Sequence, residues 1–141
     1  MDLKGKTFIV TGGSSGLGKG TCEVFTAAGA NVVVADMKAD EGEAVASALG
    51  DSAVFSECDV TNEEQVRAAV ELALSKFGGL NGAINCAGVG VASKVVSKQG
   101  AHPLDLFNFC INVNVAGTFN VSRLSAVPSL RTVQDGNDLA A

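Results

Sequence analysis

Apolar residues fall into short uninterrupted runs, separated by stretches with a helical period. The runs are Thr7-Phe8-Ile9-Val10, Asn31-Val32-Val33-Val34-Ala35, Ala53-Val54-Phe55 and Gly82-Ala83-Ile84. None alternates polar with apolar, so each fits a strand buried on both faces, as in a parallel sheet. Between the first two runs, Leu17, Thr21, Val24, Phe25 and Ala28 share one helical face, and Gly29 suits the position after a helix end. Asp40, with Glu43 three residues on, suits the start of a second helix whose inner face is Val45, Ala48 and Leu49 and whose end is Gly50. Thr61-Asn62-Glu63-Glu64 reads as a capping box. It opens a third helix with the stripe Val66, Ala69, Val70, Ala73, Leu74 and Phe77, stopped by Gly78-Gly79. A long last helix is predicted over 103–127, with Phe107, Cys110, Asn114, Gly117, Val121 and Leu124 on one stripe. Pro128 is expected to end it, and the polar, aperiodic residues 128–141 are expected to form a frayed or disordered tail. This alternation predicts an α/β fold: a Rossmann-type doubly wound parallel sheet, as one domain over 1–127.

Composition narrows the classes. The 141 residues suit one domain, and 47% hydrophobic against 18% charged residues is a folding composition. A net charge of −5 argues against capture of nucleic acid or an anionic membrane surface. No apolar stretch is long enough to span a bilayer, and no leader is visible before the first apolar run, so a soluble intracellular protein is expected. Cys22, Cys58, Cys86 and Cys110 are scattered without a CxxC pair, so no metal site and no redox dithiol is expected. His102, ahead of Pro103, reads as a surface loop residue.

The candidate chemistry begins right after the first strand, at Thr11-Gly12-Gly13-Ser14-Ser15-Gly16-Leu17-Gly18. Gly12 permits a tight strand-to-helix turn, Gly16 lets backbone approach a diphosphate, and Gly18 lets the helix pack close to the sheet. The start of the helix offers free N–H groups and partial positive charge to the anion. Asp36 ends the second strand, about twenty residues past the glycines, where a carboxylate accepts from ribose hydroxyls and repels a 2′-phosphate. The expected cofactor is therefore NAD rather than NADP, with Lys38 the one nearby cation.

Three more segments join this loop: Cys58-Asp59-Val60, Asn85-Cys86-Ala87-Gly88 and Val113-Asn114-Val115. Together they resemble the short-chain dehydrogenase/reductase family over most of the chain, and the resemblance implies the strand order 3-2-1-4, with the family's later strands missing. The stretches 85–94 and 114–121 are similar to its type 2 3-hydroxyacyl-CoA dehydrogenase branch, also described as 17β-hydroxysteroid dehydrogenases. The resemblance implies that Ser15, Gly16 and Leu17 line a pyrophosphate and Asp36 holds the ribose. Asp59 and Val60 would flank the adenine; Asp59 also suits a helix-start charge beside Thr61. Cys86, Ala87 and Gly88 would border the nicotinamide-side ribose, and Asn85 would brace the fourth strand. Asn114 would support catalysis by holding a water in a proton relay; a purely structural polar network is the alternative. The branch is often mitochondrial, which leaves that compartment beside the cytoplasm.

The same resemblance implies a Ser, a Tyr and a Lys four residues after the Tyr as the remaining catalytic groups. The chain contains no tyrosine. It is therefore expected to be the N-terminal half of an alcohol-oxidising enzyme with a small-molecule substrate, inactive alone and prone to homo-oligomerise through its long helix. The alternative is an NAD-binding or dimerising regulatory module without catalysis.

Overall fold

The computed structural model describes residues 2–135. Strands β1 (Thr7–Thr11), β2 (Asn31–Asp36), β3 (Ala53–Glu57) and β4 (Gly82–Asn85) form one parallel sheet in the order β3-β2-β1-β4. Ile9 lies opposite Val33 on one side and Ala83 on the other. Every residue of β1 is buried, which is why its apolar run is unbroken.

Helices cover both faces. Side chains alternate across β1, so Ile9 and Val10 enter different cores. Ile9, Val33, Ala35 and Leu80 pack with Val66, Ala69, Val70 and Ala73 of α3 (Glu63–Phe77). Val10, Val32 and Val34 pack with Cys22 of α1 (Gly16–Ala27) and with Val45 and Ala46 of α2 (Ala39–Leu49). Phe8 and Phe25 meet edge to face at 5.0 Å.

Several local features differ from the sequence expectation. In α1 the inward residues are Gly18 and Cys22, while Leu17 is 86% exposed and Val24 64%. Contact between the Gly18 and Gly12 backbones sets the helix phase, so the apolar periodicity does not. Helix α2 starts at Ala39 with no side-chain cap, and Asp40 sits inside its first turn. Its buried face includes Gly42, where a Cβ would overlap the Phe55 ring; Ala48 faces outward.

The cap of α3 is Asn62, not Thr61. Asn62 Oδ1 accepts from the amides of Glu64 at 3.0 Å and Gln65 at 3.2 Å. Thr61 is drawn away because its amide and hydroxyl both donate to Asp59 Oδ1, at 2.9 and 2.7 Å. Asn62→Ala is expected to cost about 1 kcal/mol, read as a lower urea midpoint at unchanged m-value.

A two-stranded hairpin, β5 (Val96–Ser97) with β6 (Gly100–Ala101), stands apart from the main sheet. Two-residue strands are too short to show a period, so the sequence reads only as a loop there. Next to it, the His102 amide donates to Val95 O at 2.8 Å, and His102 is half-buried.

The long helix is three pieces: α4 (Leu104–Ile111), a π-helical turn at Asn112–Gly117, and α5 (Thr118–Asp135). Its predicted stripe holds at Gly117, Val121 and Leu124 but fails earlier, where Phe107 and Asn114 are exposed. The π turn adds a residue to the winding, so no single 3.6-residue phase spans both halves. Asn120 and Ser125 are buried instead.

Pro128 does not end this helix. It lies inside α5, which continues to Asp135; the rest of the expected tail, 136–141, lies outside the described residues. Tertiary anchoring offsets the missing proline N–H. Thr132 Oγ1 donates to Pro128 O at 3.0 Å and accepts from the Leu80 amide at 3.0 Å.

Candidate functional site

A cavity of about 890 Å³ opens at the carboxyl ends of the strands. Its wall comes from the turns after all four strands of the main sheet and from the α4 end of the long helix, including Phe109, Asn112 and Val113. The chain runs outward from β1 through β2 to β3 and then adds β4 on the other side of β1, so the carboxyl ends of β1 and β4 mark a topological switch point. Open α/β sheets bind ligands in such crevices.

The turn from β1 into α1 forms the middle of the wall. Gly12 has φ +65°, and a Cβ there would come within 2.9 Å of the Ala87 amide nitrogen. Gly16 has φ +51°, and its missing Cβ would meet nothing within 4 Å. The bare Gly16 backbone therefore leaves open space that an approaching anion can fill. No side chain caps α1: Ser15 accepts no bond from it, and its first turn carries no acidic residue. The leading amides of a helix have no intrahelical partner and carry partial positive charge. This cradle fits a diphosphate.

Asp36 stands at one end of the cavity, with Met37 and Lys38 beside it. Its Oδ2 accepts from the Ser14 amide at 3.1 Å and the Ser14 hydroxyl at 2.7 Å, and its Oδ1 accepts from the Lys38 amide at 3.1 Å. Asp59 and Val60 also line the wall, together with Cys58 and Thr61. Gln65 Oε1 holds the Asp59 amide at 2.7 Å.

Cys86, Ala87, Gly88 and Val89 form the other end. Thr11, buried at the tip of β1, accepts the amides of Cys86 and Ala87 on its hydroxyl oxygen, both at 3.2 Å. Asn114 brackets Val89: its Oδ1 accepts the Val89 amide and its Nδ2 donates to the Val89 carbonyl, each at 2.8 Å. Of the residues singled out by sequence, Gly12, Ser15, Gly16, Leu17, Gly18, Asp36, Asp59, Val60, Cys86, Ala87 and Gly88 share this cavity. Asn85 and Asn114 do not line it. Asn85 instead donates to the Ser122 hydroxyl at 3.3 Å, and Asn114 holds Val89, which does line it.

The sequence reading missed Thr11, Ser14 and Asn120 as site-shaping residues. Buried Asn120 donates to Val60 O at 2.9 Å and so fixes the wall on the β3 side. Only the unusual density of small hydroxyl residues around the glycines could have signalled the first two.

The thiols divide by depth. Burial pushes the Cys22 thiol up to about 12, with nearby Cys86 adding to the rise. Burial pushes Cys58 up to about 11, helped by the charges of Asp59 and Asp36. A raised folded-state value means the unfolded chain loses these protons first. Stability from the two thiols is present below about 9, the ordinary value, and is lost as the pH climbs toward 11 to 12. Alkaline urea titrations should show the midpoint falling across that window. A flat midpoint up to the top of it would contradict the burial of both groups. Iodoacetamide at neutral pH should label half-buried Cys86 and Cys110 before Cys22 and Cys58.

Comparison with known proteins gives the same architecture an ancestry. Residues 6–137 match the family described as short chain dehydrogenase. The 3-hydroxyacyl-CoA dehydrogenase type-2 of Bos taurus is 48% identical over 126 residues, covering 88% of this chain and 48% of the relative. A 3-hydroxyacyl-CoA dehydrogenase type-2 structure from Mycobacterium avium superposes with a TM-score of 0.82 at 39% identity, over 88% of this chain and 48% of that one. The 3-ketoacyl-(acyl-carrier-protein) reductase of Brucella melitensis, solved with NADH, superposes with a TM-score of 0.84 at 34% identity, over 96% of this chain and 54% of that one. The chain spans about half the length of the curated relatives it matches. With its sheet order, glycine turn and match over 6–137, this chain belongs to the short-chain dehydrogenase family.

Proposed function

We propose that this chain is the NAD-binding part of a dehydrogenase that moves a hydride between a secondary alcohol and NAD, with 3-hydroxyacyl-CoA or hydroxysteroid as the substrate class. One observation carries the reading: an uncapped helix start and the Asp36 carboxylate face a single cavity at the sheet's switch point. The amides of Ser15, Gly16 and Leu17 receive the diphosphate. Asp36 accepts a hydroxyl of the adenosine ribose and disfavours a 2′-phosphate. Asp59 and Val60 flank the adenine, and Cys86, Ala87 and Gly88 border the second ribose. Gly12 and Gly18 shape the turn, and Asn85 ties β4 to the long helix.

Bound NAD supplies the hydride acceptor. Asn114 keeps one N–H and one lone pair beyond its Val89 bonds, enough to hold a water beside the cavity. The 3-hydroxyacyl-CoA relatives and the NADH-bound neighbour support this class of chemistry. A second reading, a cofactor-binding and self-associating module without catalysis, is favoured by the exposed apolar residues Phe107, Ile111, Val115 and Phe119 along the long helix.

Calorimetry should show NAD binding about tenfold or more tighter than NADP, as expected for a ribose bond to a charged group. Mixed with NAD and a 3-hydroxyacyl-CoA, the chain alone should form NADH no faster than background. Equal affinity for the two cofactors would contradict the role of Asp36; substantial turnover would contradict the need for a tyrosine.

A further inference from the structure

The carboxylate proposed to grip the sugar is itself gripped. Ser14 donates twice to Asp36 Oδ2, through its amide at 3.1 Å and its hydroxyl at 2.7 Å. The Lys38 amide occupies one position on Oδ1. An ionised carboxylate has about four acceptor positions, so the one left open is on Oδ1. Ser14 is 7% exposed and lines the cavity together with Asp36, so the clamp is part of the wall itself. The loop is also tied to β2 by the Gly13 amide, which donates to Ala35 O at 3.3 Å.

We propose that Ser14 is a positioning residue that sets cofactor affinity through Asp36, by fixing the carboxylate so that Oδ1 faces the ribose. The proposal rests on the reading of this cavity as an NAD site. A hydroxyl has one proton, and that of Ser14 is already given to Asp36. Ser14 therefore has no side-chain donor left for a ligand oxygen, and its proton serves the carboxylate. An unclamped Asp36 would rotate at the end of its strand and lose that freedom on binding. The clamp removes this cost beforehand.

The test is an NAD titration by calorimetry of the full chain and its variants, each checked by circular dichroism and melting. Ser14→Ala should weaken NAD binding roughly five- to tenfold, the scale of the freedom one side chain loses when it is ordered on binding. Ser14→Thr keeps the hydroxyl and should stay within about twofold of wild type on the same scale. In an Asp36→Ala background, Ser14→Ala should change affinity less than about twofold, because the group it acts through is gone. If Ser14→Ala does not fold, Ser14→Cys keeps the bulk with a weak donor and should show the same loss. Unchanged affinity in the folded Ala or Cys variant overturns the proposal. So does an equal loss in the Asp36→Ala background, which would mean Ser14 acts on the ligand or the fold directly. No binding by the wild-type chain would sink the cofactor reading and this inference together, whereas wild-type binding with an indifferent Ser14→Ala sinks the inference alone.

Discussion

Gly18→Ala is expected to cost about 3 kcal/mol of folding stability, the upper end of the range for an overpacked site. A Cβ at this position would overlap the Gly12 carbonyl, with the Gly13 amide nitrogen at 3.0 Å. These are backbone atoms of the turn, so no flexible side-chain tip can swing aside. To admit the methyl group, α1 must move off the sheet, and the Gly12–Gly16 turn must move with it. NAD affinity should fall in parallel. Gly20→Ala in the same helix is the control: its Cβ would meet nothing within 4 Å. That change should be neutral or stabilising by up to about 1 kcal/mol, because alanine is the better helix former. Urea denaturation of the two variants reads the contrast. Equal midpoints would show that the close approach of α1 to the turn does not hold the fold.

Asp36→Ala is expected to weaken NAD binding by about 1.5–3 kcal/mol, the scale of a hydrogen bond to a charged group. Binding of NADP should hold or improve, because the repelling carboxylate is gone while Lys38 still lines the cavity. The ratio of the two dissociation constants isolates the effect, since any loosening of the fold weakens both ligands alike. The Ser14 amide and hydroxyl lose their partner, so a modest fall in stability should accompany the change. Calorimetry with both cofactors measures the ratio, and unchanged NAD affinity would contradict the role assigned to Asp36.

What the sequence reveals is what is encoded locally. The uninterrupted runs at 7–10 and 31–35 fit strands covered on both faces, so the parallel sheet is readable, while its order 3-2-1-4 comes with the family resemblance. Gly12, Gly16 and Asp36 are also readable, because a strand followed by a glycine turn and a helix leaves few other uses for them. Features decided by distant partners are hidden. The phase of α1 follows from Gly18 against Gly12, and that of α2 from Gly42 against Phe55. The α3 cap moves by one residue because Asp59 captures Thr61. Helix α5 passes through Pro128 because Thr132 is anchored to Leu80, 52 positions away in sequence. Ser14 gives no sign of its partner, since a serine in a glycine-rich turn is chemically ambiguous until β2 is placed beside it.

The central claim is that one corner of the sheet, built from the β1–α1 turn and the end of β2, receives NAD. Amide chemical-shift mapping of the isotope-labelled chain during NAD titration tests it most directly. The account predicts saturable shifts at Gly16, Leu17 and Gly18, at Ser14 and Asp36–Lys38, and at Cys86–Val89, with little change along the outer face of α4. Saturating NAD that leaves the Gly16–Gly18 and Asp36 amides unmoved, or that shifts only residues away from this corner, would contradict it.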